Sequence, residues 1–259
     1  MIGQALACLA LLLPATLLTT ACSAGPAAGA RPSAPAPGAS RPAASRSATQ
    51  PRRSVIGRSV QGRPLVALTL GTDGARRRLL VVGCVHGDES AGIRLAEDLL
   101  KSAPPASAEV VVVPDANPDG LAAGTRQNAH HVDLNRNFPF QWRRVGRPGD
   151  QQYSGTGPLS EPESKAVAGL VRRFRPTTSV WFHQPEGVTD ESGGVVAVER
   201  RFAAVSGLAL RRLPRYPGSA TSWQNSTRPG TSAFVVELPR QVSPALATRV
   251  GRALRELER

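Results

Sequence analysis

Seven residues, Leu79-Leu80-Val81-Val82-Gly83-Cys84-Val85, run straight into His86-Gly87-Asp88-Glu89, and Ala91 to Lys101 follows with apolar residues at helical spacing. A run of that length and β-branched content reads as a buried strand. The tetrad therefore sits on a strand-to-helix turn, at the edge where α/β folds carry their chemistry. His86 and Glu89, three residues apart, can face one point, and an imidazole nitrogen with a carboxylate oxygen suits zinc. An isolated His-x-x-Glu is also a common accident of a solvated acidic turn, so the reading needs partners from elsewhere in the chain.

Strands and helices alternate along the rest. Candidate strands are Ser54 to Gly57, Leu65 to Leu70, Leu79 to Val85, Val110 to Pro114, Ser179 to His183, Gly194 to Val198 and Ala233 to Leu238. Candidate helices are Ala91 to Lys101, Glu161 to Phe174, Arg200 to Leu208 and Pro244 to Leu257, the second opened by a capping box of Ser160 with Glu163. This pattern predicts an α/β fold with a mixed, largely parallel sheet covered on both faces. The segment from Asp115 to Leu159 is too long for an ordinary connection, and it carries Asn117-Pro118-Asp119-Gly120, Gly124-Thr125-Arg126 and Asp133-Leu134-Asn135-Arg136. Three polar clusters in one loop exceed what turn formation requires, so the loop is read as functional.

Residues 1–22 read as a leader: Ile2 to Leu18 is apolar over a length that fits a signal-peptide core better than a membrane span. Cys22, after a small residue, resembles the acylated cysteine of a bacterial lipoprotein, with secretion after cleavage near Ala24 as the rival. Export is expected either way, to the cell membrane as a lipoprotein or into the envelope, with the membrane touched only through the anchor. Residues 23–51, rich in Ala, Pro, Ser and Arg, read as a disordered linker, and residues 52–259 as the catalytic domain. All but Lys101 and Lys165 of the 32 basic residues are arginine, and the formal net charge is +13. Such a surface suits an anionic lipid or wall polymer. Nucleic acid is not expected, since there is no binding motif and aromatics are 4%. Cys84 reads as a buried structural residue, with a thiolate ligand as the alternative.

His183 ends the run Ser179-Val180-Trp181-Phe182, as His86 ends its own. His86, Glu89 and His183 would leave one coordination position open for water, as a catalytic zinc requires. His130 and His131 are adjacent, and their side chains diverge. Glu237 lies in the apolar strand Phe234-Val235-Val236-Glu237-Leu238, where an acid is costly unless paired or catalytic. It reads as a proton acceptor for water. Arg126 and Arg136 would supply positive charge to an oxyanion and, with Asn135, to a substrate carboxylate. Arg136 as a structural clamp for Asp133 is the alternative.

These residues in this order resemble the zinc carboxypeptidase family, over most of residues 54–250. The resemblance implies one zinc per chain on His86, Glu89 and His183, with Glu237 as general base and Arg126 as oxyanion stabiliser. It also implies Asn135 with Arg136 as the carboxylate pair, and a three-layer α/β/α sandwich on a mixed eight-stranded sheet. Within the family the chain looks closest to short bacterial murein peptide amidases, which split γ-D-glutamyl-diaminopimelate bonds. The stretches that carry this are Gly57 to Pro64, Gly124-Thr125-Arg126, Val132 to Pro139 and Pro158 to Glu163. The implied partner is a peptide substrate met by a monomer. His131 stands where the relatives have Gly, and Tyr216 is the nearest counterpart of their substrate-contacting tyrosine. An N-acyl amino acid deacylase of the same fold, and a wall-binding module with a vestigial site, are the rival readings.

Overall fold

β3 (Arg77–Val82) is buried on both faces from Leu79 to Val82, which is why its sequence shows a continuous apolar run and no alternation. The computed structural model describes residues 47–259, within one unit that begins at Ala44. Around β3 the other strands are β1 (Ser47–Arg58), β2 (Pro64–Thr72), β4 (Ala108–Val113), β5 (Thr178–His183), β6 (Glu186–Asp190), β7 (Ala209–Arg211) and β8 (Ser232–Pro239). The helices are α1 (Ala91–Leu99), α2 (Pro118–Ala123), α3 (Pro162–Phe174), α4 (Val196–Ser206), α5 (Ala220–Thr227) and α6 (Pro244–Glu256).

Among the described residues the strands form one mixed sheet in the order β1-β2-β4-β3-β5-β8-β6-β7. The centre, β4-β3-β5-β8, is parallel, while β1, β2 and the β6–β8 pair add antiparallel edges. Alternate residues of the central strands divide the core into two layers. Leu79, Val81, Val180, Phe182 and Phe234 pack with Leu95 of α1, Phe202 of α4 and Val250 and Leu254 of α6. Leu80, Val82 and Trp181 pack on the other face with Val167 and Val171 of α3 and Trp223 of α5. The result is the expected three-layer sandwich, and it leaves the C-terminal ends of β3, β5 and β8 side by side at one edge.

Several expectations need correction. The leader with Cys22, and the linker as far as residue 46, lie outside the described residues; residues 47–51, assigned to the linker, belong to β1. The strand expected over Gly194 to Val198 is a bend followed by the first turn of α4. Its Val-rich composition misled, and the strand in this region is the more polar β6, whose Val188 and Thr189 are buried beside β8. The capping box is absent: Glu161 is the N-cap residue of α3 and makes no side-chain cap bond. The Ser160 hydroxyl donates to Glu161 Oε1 at 2.7 Å, while Glu163 accepts from the Val60 amide at 2.9 Å and from Asn128 Nδ2 at 3.0 Å. Asn117-Pro118-Asp119-Gly120, expected as a turn, opens α2, with Asn117 Oδ1 accepting from the Gly120 amide at 3.1 Å.

One glycine explains how the long loop is held to the metal-binding edge. A Cβ on Gly87 would lie 2.0 Å from the carbonyl carbon of Gly120, so the His86–Glu89 turn and α2 meet backbone to backbone. His131 takes the left-handed conformation at φ 58°, a backbone that glycine favours.

Candidate metal centre

Each ligand side chain arrives by a separate local rule. β3 ends at Val82 and a short turn delivers His86 and Glu89 ahead of α1; β5 ends on His183 itself. In the β5–β8 ladder His183 is paired in register with Glu237, which places the acid on the neighbouring strand beside the second histidine. His86 is 1% and His183 3% exposed.

The donor atoms converge. His86 Nδ1 lies 2.9 Å from Glu89 Oε2, His183 Nδ1 lies 2.9 Å from the same oxygen, and the two Nδ1 atoms are 3.1 Å apart. These separations are close to the roughly 3.3 Å edge of a tetrahedron built on ligand bonds of about 2.0 Å. Two imidazole nitrogens and a carboxylate oxygen facing one point at these separations form a donor set that one cation could share. His86 turns its other nitrogen, Nε2, to Asp133 Oδ1 at 3.0 Å, the carboxylate–histidine arrangement that fixes the tautomer of a metal-binding imidazole. The residues therefore fit zinc: two imidazoles, one carboxylate, and an open side facing the cavity.

Charge in the site is balanced by Arg126. Its Nη1 donates to Glu89 Oε1 at 2.9 Å, and its Nε and Nη2 donate to Asp133 Oδ2 at 3.1 Å each. Burial alone would raise Glu89 and Asp133, but the two histidines around Glu89, and His86 with Arg126 and Arg136 around Asp133, hold both carboxyls well below the usual range. Burial would lower His86, yet Asp133 and Glu89 outweigh it and raise the imidazole above its ordinary value. Arg126 makes the hydrogen bonds to Asp133, and Arg136 Nη1, 4.0 Å from Asp133 Oδ2, adds a longer ion pair to the same carboxylate.

Glu237 is raised by burial, opposed by His183, and its Oε2 has no hydrogen-bond partner among the described residues. His86, Glu89, His183, Glu237, Arg126, Asn135, Arg136 and Tyr216 line one cavity of about 280 Å³. Asn135 Oδ1 accepts from the Ala220 amide at 3.0 Å, which leaves its Nδ2 directed at His183 Nε2, 3.4 Å away. The Arg136 guanidinium stacks over the Tyr216 ring at 4.1 Å, a cation–π contact that ties two sequence-distant candidates together. Cys84 is not a ligand: its buried thiol, pushed up by burial and by Asp115, donates to the His86 carbonyl at 3.1 Å. His130 pairs with Glu161 at 2.8 Å, away from the centre.

Asp133 is the residue that sequence reading undervalued. Its sign was present, an acid two residues before Asn135 inside a buried motif, but only the fold reveals that it stands behind His86. Asp133→Asn is expected to keep the fold and lower metal affinity about 10- to 100-fold, read by titration with a competing chelator. Unchanged affinity would deny Asp133 that supporting role.

Sheet order, a His-Glu-His cluster at the carboxyl edge and an acid opposite it define a metallohydrolase-type centre. A family model, zinc carboxypeptidase, matches residues 43–189, and the chain belongs to that family. Murein peptide amidase A of Escherichia coli K12 is 34% identical over 135 residues, covering 48% of this chain and 55% of that protein. Gamma-D-glutamyl-L-diamino acid endopeptidase 1 of Lysinibacillus sphaericus is 32% identical over 138 residues, 47% of this chain and 33% of that one. The chain spans about half the length of the curated murein peptide amidases it matches. The crystal structure of a murein-tripeptide amidase from Escherichia coli O157 superposes with a TM-score of 0.67 and 29% identity, over 85% of this chain and 96% of that one.

Proposed function

We propose that this chain is an exported zinc peptidase that hydrolyses an amide bond next to a free C-terminus, in cell-wall peptides of the γ-D-glutamyl-diaminopimelate type. The observation that carries the reading is the convergence of His86, Glu89 and His183 within hydrogen-bond distance, with Glu237 beside them in one cavity. The relatives named for murein peptides supply the substrate class, and the lipoprotein-like Cys22 supports export to the membrane or envelope.

Zinc held by His86, Glu89 and His183 would supply Lewis acidity and would lower the pKa of bound water. The protein does the rest. Asn135 and Arg136 bind the terminal carboxylate and so fix the scissile carbonyl beside His86, Glu89 and His183. Glu237, desolvated and with one oxygen unpartnered, takes the proton of the attacking water and returns it to the leaving nitrogen. Arg126 spends three of its five N–H donors on Glu89 and Asp133, leaving two for the oxyanion that forms on the carbonyl. Tyr216, 41% exposed and stacked with Arg136, would contact the bound substrate.

The test uses the full-length, zinc-loaded protein with wall tri-, tetra- and pentapeptides, ordinary peptides and N-acyl amino acids, products being read by mass spectrometry with and without chelator. Chelator-sensitive release of diaminopimelate from the tripeptide is expected. Cleavage of N-acyl amino acids alone would replace the reading with the deacylase one, and failure to cleave anything would favour a binding role.

A further inference from the structure

The cavity continues away from His86 and Glu89 along the β6–β8 pair, lined there by Glu186, Asp190, Val235 and Glu237. Val188 is in register with Glu237, and Thr189 with Val236, so the next residue, Asp190, comes opposite Val235. Side chains alternate along a strand, so Asp190, Val235 and Glu237 share a face, and all three line the cavity. Two strand residues separate Asp190 from the level of Glu237, roughly 7 Å.

At that depth stands a braced guanidinium. Arg215 Nη1 donates to Asp190 Oδ2 at 2.6 Å, and Arg215 Nη2 donates to the Glu191 carbonyl. Asp190 is itself saturated: it also accepts from the Leu213 amide at 2.8 Å and from Ser192 Oγ at 2.7 Å, and that serine oxygen accepts from the Val235 amide at 3.1 Å. The chain of bonds ties Arg215 to β6 and β8. The Arg215 side chain keeps 34% exposure, with Nε and one hydrogen on each terminal nitrogen unspent. Of the described arginines lining the cavity, Arg126 is held by Glu89 and Asp133, and Arg136 lies beside Asn135. Arg215 is the remaining cation, and the acids Glu89 and Glu237 lie at the other end. Glu186 is exposed on the same cavity wall.

We infer that Arg215, oriented by Asp190, is a specificity-determining residue that receives a carboxylate at the far end of the substrate's C-terminal side chain. The inference rests on the peptidase reading above and narrows it. A substrate anchored by its α-carboxylate at Arg136 would extend its side chain down the wall towards Arg215. Diaminopimelate and lysine differ by one such distal carboxylate, so they form a matched pair of probes. A guanidinium already immobilised by Asp190 loses little freedom on binding, and a bidentate pair with a carboxylate is the contact its geometry favours.

The experiment compares kcat/KM of the full-length zinc-loaded protein on γ-D-glutamyl tripeptides ending in meso-diaminopimelate or in L-lysine, for wild type and Arg215→Gln. Wild type is expected to prefer the diaminopimelate peptide. The variant should lose about 10- to 100-fold on it, the cost of one charged hydrogen-bonding contact, and change little on the lysine peptide. A pure loop clamp would lower both rates together and leave their ratio intact, which would overturn the inference while sparing the peptidase reading; so would a wild type indifferent to the two. If Arg215→Gln does not fold, product inhibition of wild type decides: free meso-diaminopimelate must inhibit more strongly than lysine, and equal inhibition overturns the assignment. A wild type that cleaves neither peptide removes the peptidase reading and this inference with it.

Discussion

Glu237→Gln is expected to retain its zinc and to lose about 10²- to 10⁴-fold in kcat, the range that one positioned general base contributes. The substitution preserves shape and removes only the capacity to accept a proton. The reason for a large effect lies in where the carboxylate is placed. It is paired in register with His183 across the β5–β8 ladder, it lines the cavity, and Oε2 has no partner among the described residues. An acid raised by burial works against the fold once it ionises, because its folded value lies above the unfolded one. That cost appears as pH rises through the raised value, so at pH 8 the glutamine variant, stripped of metal, should melt no lower than metal-free wild type. Activity lost with stability kept would mark Glu237 as a functional compromise in the sheet. Metal content by elemental analysis, kcat and a melting curve on one preparation decide it, and a variant that stays active would refute the assignment.

The sheet's centre was legible because its residues obey one local rule. Leu79 to Val82, Val110 to Val113 and Val180 to Phe182 are apolar on both faces, and a parallel strand covered on both sides leaves no other composition possible. The histidines were legible for a related reason: each stands at or just beyond the end of such a run, and parallel strands bring their carboxyl ends together. The edges were less so. β6 contains Glu186, Thr189 and Asp190, and its strand character comes from pairing with β8, which composition does not announce. Val195 to Val198 has strand-like residues, yet a glycine pair and the first turn of α4 override that propensity. The polar cavity residues were legible in kind and not in partner. Arg126 and Arg136 are ten residues apart and similar in character, and only the folded loop shows that Arg126 engages Asp133 while Arg136 stacks on Tyr216. Asp190 and Arg215 carried no signal at all, because they meet only when β6 and the segment after β7 lie together.

Stripping the metal with a chelator is expected to abolish hydrolysis and to lower Tm, and the drop in Tm should widen as pH rises from 6 to 8. Without a cation, His86 has a carboxylate oxygen at each ring nitrogen, Glu89 Oε2 at 2.9 Å from Nδ1 and Asp133 Oδ1 at 3.0 Å from Nε2. Despite its burial, His86 is raised by Asp133 and Glu89, so the metal-free fold is favoured by protonation. For a group whose folded value exceeds its unfolded one, that stabilisation is complete below about pH 6.5, the ordinary histidine value, and disappears as pH climbs through the raised value. Glu89 and Asp133 are held below the usual carboxylate range, so their contribution is lost only in acid and stays constant across this window. In the zinc-loaded protein His86 must be neutral to bind, and that form gains nothing from the proton. The metal-free protein alone therefore weakens between pH 6 and 8, and the gap between the two melting curves grows. Calorimetry with and without chelator at both ends of the window measures it. A gap that stayed constant or narrowed would mean that proton and metal do not compete for His86, and the ligand assignment would have to be withdrawn.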